Sequence, residues 1–153
     1  MPNAPLVRPI ERTDYAGWRP LWDGYNHFYG RHGANALPER ISEATWERFF
    51  CLEEPVHAFV AEQDGHVVGI VHYLFHRSTT QLNDVCYLQD LFTAEEARGR
   101  GIGRRLIQAV YEAARTASSL RVYWHTNAAN ARGRALYDKV AQHKGFITYT
   151  HEL

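Results

Sequence analysis

Between positions 87 and 103 the chain reads Tyr87-Leu88-Gln89-Asp90-Leu91-Phe92-Thr93-Ala94-Glu95-Glu96-Ala97-Arg98-Gly99-Arg100-Gly101-Ile102-Gly103. A strand-like apolar run leads through a short loop and three glycines into a helix-like run. Glycines at such a junction let a ligand approach the backbone closely. The unpaired N–H groups of the helix start, together with the helix dipole, then bind an anion. Arg98, Arg100, Arg104 and Arg105 add positive charge. A phosphate or pyrophosphate is the natural guest. Two better-known phosphate loops fail on detail. A dinucleotide fingerprint would need glycine at Arg104, and a P-loop would need Lys followed by Ser or Thr where Arg104 and Arg105 stand. The bland alternative is a tight turn with a solvated basic helix face. The strand, loop and helix context argues against it.

A second segment lies downstream: Asn130-Ala131-Arg132-Gly133-Arg134-Ala135-Leu136-Tyr137, followed by Gly145-Phe146. Arg98-Gly99-Arg100-Gly101-Ile102-Gly103 matches the R/Q-x-x-G-x-G/A signature of the GCN5-related N-acetyltransferase (GNAT) superfamily. The Asn, the Tyr seven residues later and the Gly-Phe are similar to that superfamily's second cofactor-binding segment. The resemblance covers nearly the whole chain. Tyr87 to Phe92 also resembles the spermidine/spermine and the yeast-type histone and polyamine acetyltransferases. The chain departs from them twice. Gln89 stands where the polyamine enzymes usually carry Glu, a candidate base. The stretch from Lys139 to Lys144 is a little longer than usual before Gly145-Phe146.

The resemblance implies direct acyl transfer from acetyl-CoA to an amine. A backbone N–H near Leu91 or Phe92 would meet the acetyl oxygen, and Phe92 and Thr93 would pair with the pantetheine like an added strand. Tyr137 would protonate the departing thiolate; a phenol with a pKa of about 10 keeps its proton at neutral pH. Asn130 would bond the pantetheine or a bound water, although a helix-start cap is the other reading. The cofactor set is therefore Leu91, Phe92, Thr93, Arg98, Gly99, Arg100, Gly101, Ile102, Gly103, Arg104, Asn130 and Tyr137. With Gln89 unable to take a proton, Asp90 is the nearest carboxylate in sequence, and on a strand it points opposite to Gln89. It is the candidate base; the alternative is a water relay to bulk.

For the acceptor, a primary amine of the polyamine or lysine type comes first, with an amino acid or another small amine second. The segment Tyr15 to Tyr29 is heavily aromatic, and Trp22, Tyr25 and Tyr29, with Asp23 among them, could hold an ammonium by ring faces and charge. Trp18 reads as core. A CoA-binding module without catalysis is the alternative from another class, against which an intact Tyr137 and Asn130 argue. A homodimer, common in the resembling families, is the expected assembly.

Elements must position these groups. Leu6 to Ile10 reads as a strand. Thr13 or Asp14 caps a helix to about Tyr29, and residues 30–40 form a loop. Ser42 begins a second helix ending near Cys51. His57 to Ala61 and Val67 to Phe75 are strands joined at Asp64-Gly65, a hairpin signal. A loop, Arg77 to Asn83, leads to the strand Val85 to Thr93. Gly101 to Ala117 is a helix, with Ile102, Leu106, Val110 and Ala113 or Ala114 at helical spacing. Leu120 to Trp124 is a strand. Asn127 caps a helix to about Gln142, and Phe146 to Thr150 is a last strand. The expected fold is α/β (α+β), a central mixed, mostly antiparallel sheet flanked by helices, in the order β-α-α-β-β-β-α-β-α-β. Residues 1–153 make one domain.

Composition narrows the field. With 45% apolar and 22% charged residues, the 153-residue chain can bury a real core and is neither disordered nor fibrous. No apolar run is long enough to span a membrane, and positions 1–10 carry no secretory h-region. Cys51 and Cys86 read as buried thiols of a reduced cytoplasm. Nine histidines fall in no metal-ligand spacing; His72 and His76 would share a strand face without a third ligand, so no metal is expected. The net charge is zero, but residues 1–76 carry −4 (six Arg, ten Asp plus Glu) and residues 77–153 carry +4 (eleven Lys plus Arg, seven Asp plus Glu). A basic second half suits an anionic cofactor, and an acidic first half suits a cationic substrate. Zero net charge and few lysines argue against nucleic acid.

Overall fold

The computed structural model describes residues 3–153. A five-stranded sheet in the order β1-β2-β3-β4-β5 organises the chain, with β1 Leu6–Pro9, β2 Val56–Gln63, β3 His66–His76, β4 Val85–Thr93 and β5 Val122–Tyr123. The first four strands are antiparallel neighbours, and β5 joins β4 in parallel. Helices α1 (Tyr15–Phe28) and α2 (Glu39–Arg48) precede β2, α3 (Ile102–Thr116) links β4 to β5, and α4 (Ala131–Val140) follows. The β2–β3 turn has Asp64 and Gly65 both at positive φ, 52° and 80°. This is the left-handed pair that a two-residue hairpin of this twist requires.

Two layers cover the sheet. Trp18 of α1 bonds His72 of β3 on one face. On the other, Ile102 and Leu106 of α3 approach Gly69 so closely that a Cβ there would lie 2.8 Å from Ile102. Fully buried Trp18, Ile70, Val71, Leu106, Ile107 and Val110 form the centre of the core. Each such side chain contributes about 1.5–3 kcal/mol by leaving water.

Three expectations need correcting. Helix α2 begins at Glu39, because Pro38 sets an extended entry and Glu39 favours the positive end of the dipole. Asn130, not Asn127, caps α4, and the helix stops at Val140. Phe146 to Thr150 forms no strand: the two-residue β5 offers too short an edge, Gly145 turns the chain at φ +83°, and Phe146 and Tyr149 are each 88% exposed. Among the described residues no helix is long and apolar enough to cross a membrane.

Candidate active site

The glycine loop forms as its sequence demands. Gly99 and Gly101 take φ of +80° and +77°, a left-handed backbone that side chains resist, and Gly101 is the N-cap of α3. Among the described residues, the N–H groups of 99–104 find no protein acceptor; the first paired amide is that of Arg105, on the Gly101 carbonyl. Consecutive open amides at a helix start make an anion cradle. Gly103 sits in the first turn, where a Cβ would meet Leu136 of α4 at 3.3 Å.

Of the four arginines, Arg98 ties the loop back to β4. Its Nε donates to the Thr93 carbonyl at 3.1 Å, and its guanidinium lies 5.3 Å over the Phe92 ring. Arg100 reaches Gln63 at 3.4 Å, and Arg105 bonds the Pro5 carbonyl. Arg104 lines a hollow of about 420 Å³ shared with Lys139. Among the described residues none of the four is ion-paired to a carboxylate, so their charge remains available to an anion.

Beside the loop, the sheet opens. β5 pairs with β4 only at Cys86↔Val122 and Tyr87↔Tyr123, so among the described residues no strand lies on the outer edge of β4 from Leu88 to Thr93. The inner edge stays paired, Leu91 with Val71, Phe92 with Ile70 and Thr93 with Gly69. An open edge running into an anion cradle fits an extended ligand with a phosphate at one end, the shape of coenzyme A.

The register of β3 and β4 slips once. Tyr73 pairs with Leu88 but His72 pairs with Asp90, leaving Gln89 as the extra residue of a β-bulge. Gln89 is exposed and Asp90 is 8% exposed. The bulge changes the phase of alternation, so Asp90 lands on the α1 face, beside His72, with His72 Nδ1 at 2.9 Å from its Oδ2. Burial pushes the phenol of Tyr25 far above its ordinary range, and the charge of Asp90 pushes it further; Tyr29 and Tyr87 are raised by burial first and Asp90 second. All three phenols therefore keep their protons in the field of Asp90.

Arg31 stands at the rim, its guanidinium 5.7 Å over Tyr25 and 5.4 Å over Tyr29, with Nε held by Asn26 Oδ1 at 2.6 Å. Among the described residues it has no ion-pair partner. Tyr137 approaches from α4. It packs edge-on to Trp124 at 5.5 Å, and burial, with a smaller contribution from Tyr29, raises its pKa above the ordinary 10.0.

The expected residues thus divide. Tyr25, Tyr29, Asp90 and Tyr137 come together. Trp22 does not: it is core, stacked between Trp18 and Tyr25, with Nε1 donating to Ser42 Oγ at 3.0 Å. Asp23 is turned away in an exposed pair with Arg19. Gln89 is the exposed residue of the bulge. Asn130 spends its side chain on the cap, Oδ1 accepting from the Gly133 N–H and Nδ2 donating to Thr126; Asn127 makes only a local turn with Ala129. Cys51 is exposed, while Cys86 is buried and its thiol is pushed up to about 12 by burial, so it offers no thiolate. Among the described residues no group of three or more His, Cys, Asp or Glu is placed to hold a metal. His72, Trp18 and Arg31 were missed as site residues. Only the strand register points to His72.

Comparison with known proteins settles the family. The model of the acetyltransferase (GNAT) family matches residues 18–141. The chain belongs to the GNAT family. The D-amino-acid N-acetyltransferase HPA3 of Saccharomyces cerevisiae is 32% identical over 146 residues, covering 94% of this chain and 88% of that protein. The ribosomal-protein-alanine N-acetyltransferase of Brucella melitensis superposes with a TM-score of 0.76 at 18% identity over 98% of this chain and all of that one. The structure of AAC(6')-Iy in complex with a bisubstrate analogue built on CoA superposes at 0.82 with 16% identity, over 99% of both chains. This GNAT protein is an acetyl-CoA-dependent N-acetyltransferase of amines, and its sheet and helices follow the family's fold.

Proposed function

We propose that this GNAT enzyme acetylates the amino group of a small acceptor that also carries a carboxylate, an amino acid or a close analogue. The observation that carries the reading is the pairing of opposite charges around one aromatic rim. The buried charge of Asp90 acts on Tyr25 and Tyr29, raising both phenols, and Arg31 lies over the same two rings. An ammonium is drawn to Asp90, and a carboxylate is drawn to Arg31. The name of the yeast relative, a D-amino-acid N-acetyltransferase, supports the same class. The polyamine or lysine-like acceptor is the second reading. Asp90 and the tyrosine faces favour it; the unpaired Arg31 opposes it, since a second ammonium would meet a guanidinium.

In this reading Asp90 takes a proton from the incoming ammonium, and the freed amine attacks the thioester carbonyl. The open edge of β4 near Leu91 and Phe92 offers an N–H to the oxyanion. The C–S bond then breaks, Tyr137 gives its phenolic proton to the leaving thiolate, and the surplus proton on the acylated nitrogen returns to the tyrosinate, leaving a neutral amide, a free thiol and a restored phenol. Leu91, Phe92 and Thr93 hold the extended arm, while residues 98–104 hold the pyrophosphate.

The test is a charge comparison. kcat/KM is measured for free D- and L-amino acids, spermidine and a lysine peptide, with the native enzyme and with Arg31→Gln. A lost hydrogen bond to a charged group costs about 1.5–3 kcal/mol. The amino acid should therefore lose roughly 10–10²-fold, and spermidine should lose nothing. If the native enzyme prefers spermidine and Arg31→Gln leaves every acceptor unchanged, the polyamine reading replaces this one.

A further inference from the structure

Asp90 ends a chain of three buried polar groups, of which the other two, Trp18 and His72, are not themselves required by the acyl-transfer chemistry. Trp18 Nε1 is 3.0 Å from His72 Nε2, and His72 Nδ1 is 2.9 Å from Asp90 Oδ2. Trp18, His72 and Asp90 are 0%, 2% and 8% exposed. Three elements supply them: α1, β3 and β4.

The hydrogen positions follow from the donor types. An indole N–H only donates, so His72 Nε2 must accept. A neutral imidazole has one donor and one acceptor, so the hydrogen of His72 sits on Nδ1 and is given to Asp90. Protonation of Nε2 would set two N–H groups against each other at 3.0 Å. The ring is also walled by Phe49 at 4.7 Å and Trp22 at 5.4 Å between centroids, and a flipped ring would present carbon to both Trp18 and Asp90. We infer that His72 is a positioning residue, locked by Trp18 as a neutral Nδ1–H donor, which pins one oxygen of Asp90 and leaves the other for the acceptor's ammonium. His72 does not relay protons: its only acceptor nitrogen is taken by Trp18. This inference rests on the reading of Asp90 given above.

The bulge at Gln89 and the lock on His72 are two parts of one device. The bulge turns Asp90 to the α1 face, where an unpartnered buried carboxylate would be costly. The His72 N–H satisfies it and fixes its rotation. A merely structural polar cluster would also be satisfied, but it would not care whether the donor's geometry is kept.

The experiment separates these cases. Side-chain nitrogen NMR on histidine-labelled wild type should show His72 as the Nδ1–H tautomer, the rarer form in solution. His72→Phe, combined with Trp18→Phe to avoid a stranded indole N–H, removes the donor. It should lower kcat roughly 10–10²-fold with acetyl-CoA affinity by calorimetry unchanged. His72→Asn, whose amide can donate from near the Nδ1 position, should recover most of that loss. An Nε2–H tautomer, wild-type kcat in the folded phenylalanine double variant, or an asparagine variant as slow as it would each overturn the positioning role. Asp90→Asn tests the underlying reading. Full turnover there would discard Asp90 as base, and the positioning role with it, even with the Nδ1–H tautomer in place.

Discussion

The cofactor side and the acceptor side of this enzyme are built in opposite ways. The proposed cofactor cradle is local: β4, the loop and the first turn of α3 are consecutive in sequence, and the groups it would offer a ligand are mostly backbone amides. The proposed acceptor pocket, with the residues that support it, is assembled from afar. Trp18, Tyr25, Tyr29 and Arg31 lie on or just after α1, His72 comes from β3, Asp90 from β4 and Tyr137 from α4. Backbone donors are set by glycine and by helix geometry, so many sequences can make them. Side-chain constellations depend on register and packing, so a single slip rearranges them. Binding is therefore expected to be robust and local, and turnover fragile and distributed.

The largest expected effect breaks the local half. Gly101→Glu puts a side chain at a φ of +77° and a negative charge in the anion cradle. Loss of two charge-assisted hydrogen bonds corresponds to about 3–6 kcal/mol, roughly 10²–10⁴-fold in affinity. Calorimetry with acetyl-CoA should show that loss in a protein whose far-UV spectrum is unchanged. Undiminished affinity would mean that the open amides of residues 99–104 do not hold the phosphates.

Tyr137→Phe should do the reverse, sparing binding and lowering kcat by about 10²–10⁴-fold, the usual value of a general acid. The pH dependence follows in sign from burial. Because the Tyr137 phenol is raised above 10.0, it keeps its proton past that pH, and kcat should show no alkaline fall from this group below pH 10. A limb in the neutral range that disappears in the phenylalanine variant would show the phenol to be lowered, contrary to its half-buried site beside Trp124.

The same contrast explains what could be read from the sequence. The glycine loop, the hairpin at Asp64-Gly65 and the amphipathic α3 were legible because each is specified within a few residues. The order of elements followed from them. Asp90 could be named as a carboxylate near the chemistry, but its partner could not. His72 lies eighteen positions away, and the two meet only because Gln89 is bulged, which no periodicity signals. Trp22 and Asp23 were misplaced for a related reason. Helix periodicity says which residues share a face but not which of them lies beyond the edge of the core. The last strand failed because a β-prone run such as Phe146 to Thr150 needs an edge to pair with, and edge length is a property of the folded sheet.

Asn130 gives the smallest effect and tests where the boundary between the two halves runs. By its spacing from Tyr137 it resembled a cofactor ligand, which would place it in the local half. In the structure its Oδ1 accepts from the Gly133 N–H at 3.1 Å and its Nδ2 donates to Thr126 at 3.0 Å, so it starts the helix that carries Tyr137. As a cap, its replacement by alanine should cost about 1 kcal/mol, within the range of 0.5–2, and lower Tm by about 2–4 °C for a chain of this size. Aspartate accepts as well as asparagine at this position, so Asn130→Asp should keep most of that stability. Acetyl-CoA affinity should stay level in both, and kcat should fall only slightly, through looser placement of Tyr137. The opposite pattern, weakened acetyl-CoA binding in Asn130→Ala with an unchanged Tm, would move Asn130 to the cofactor side, and α4 would then belong to the cradle as much as to the pocket.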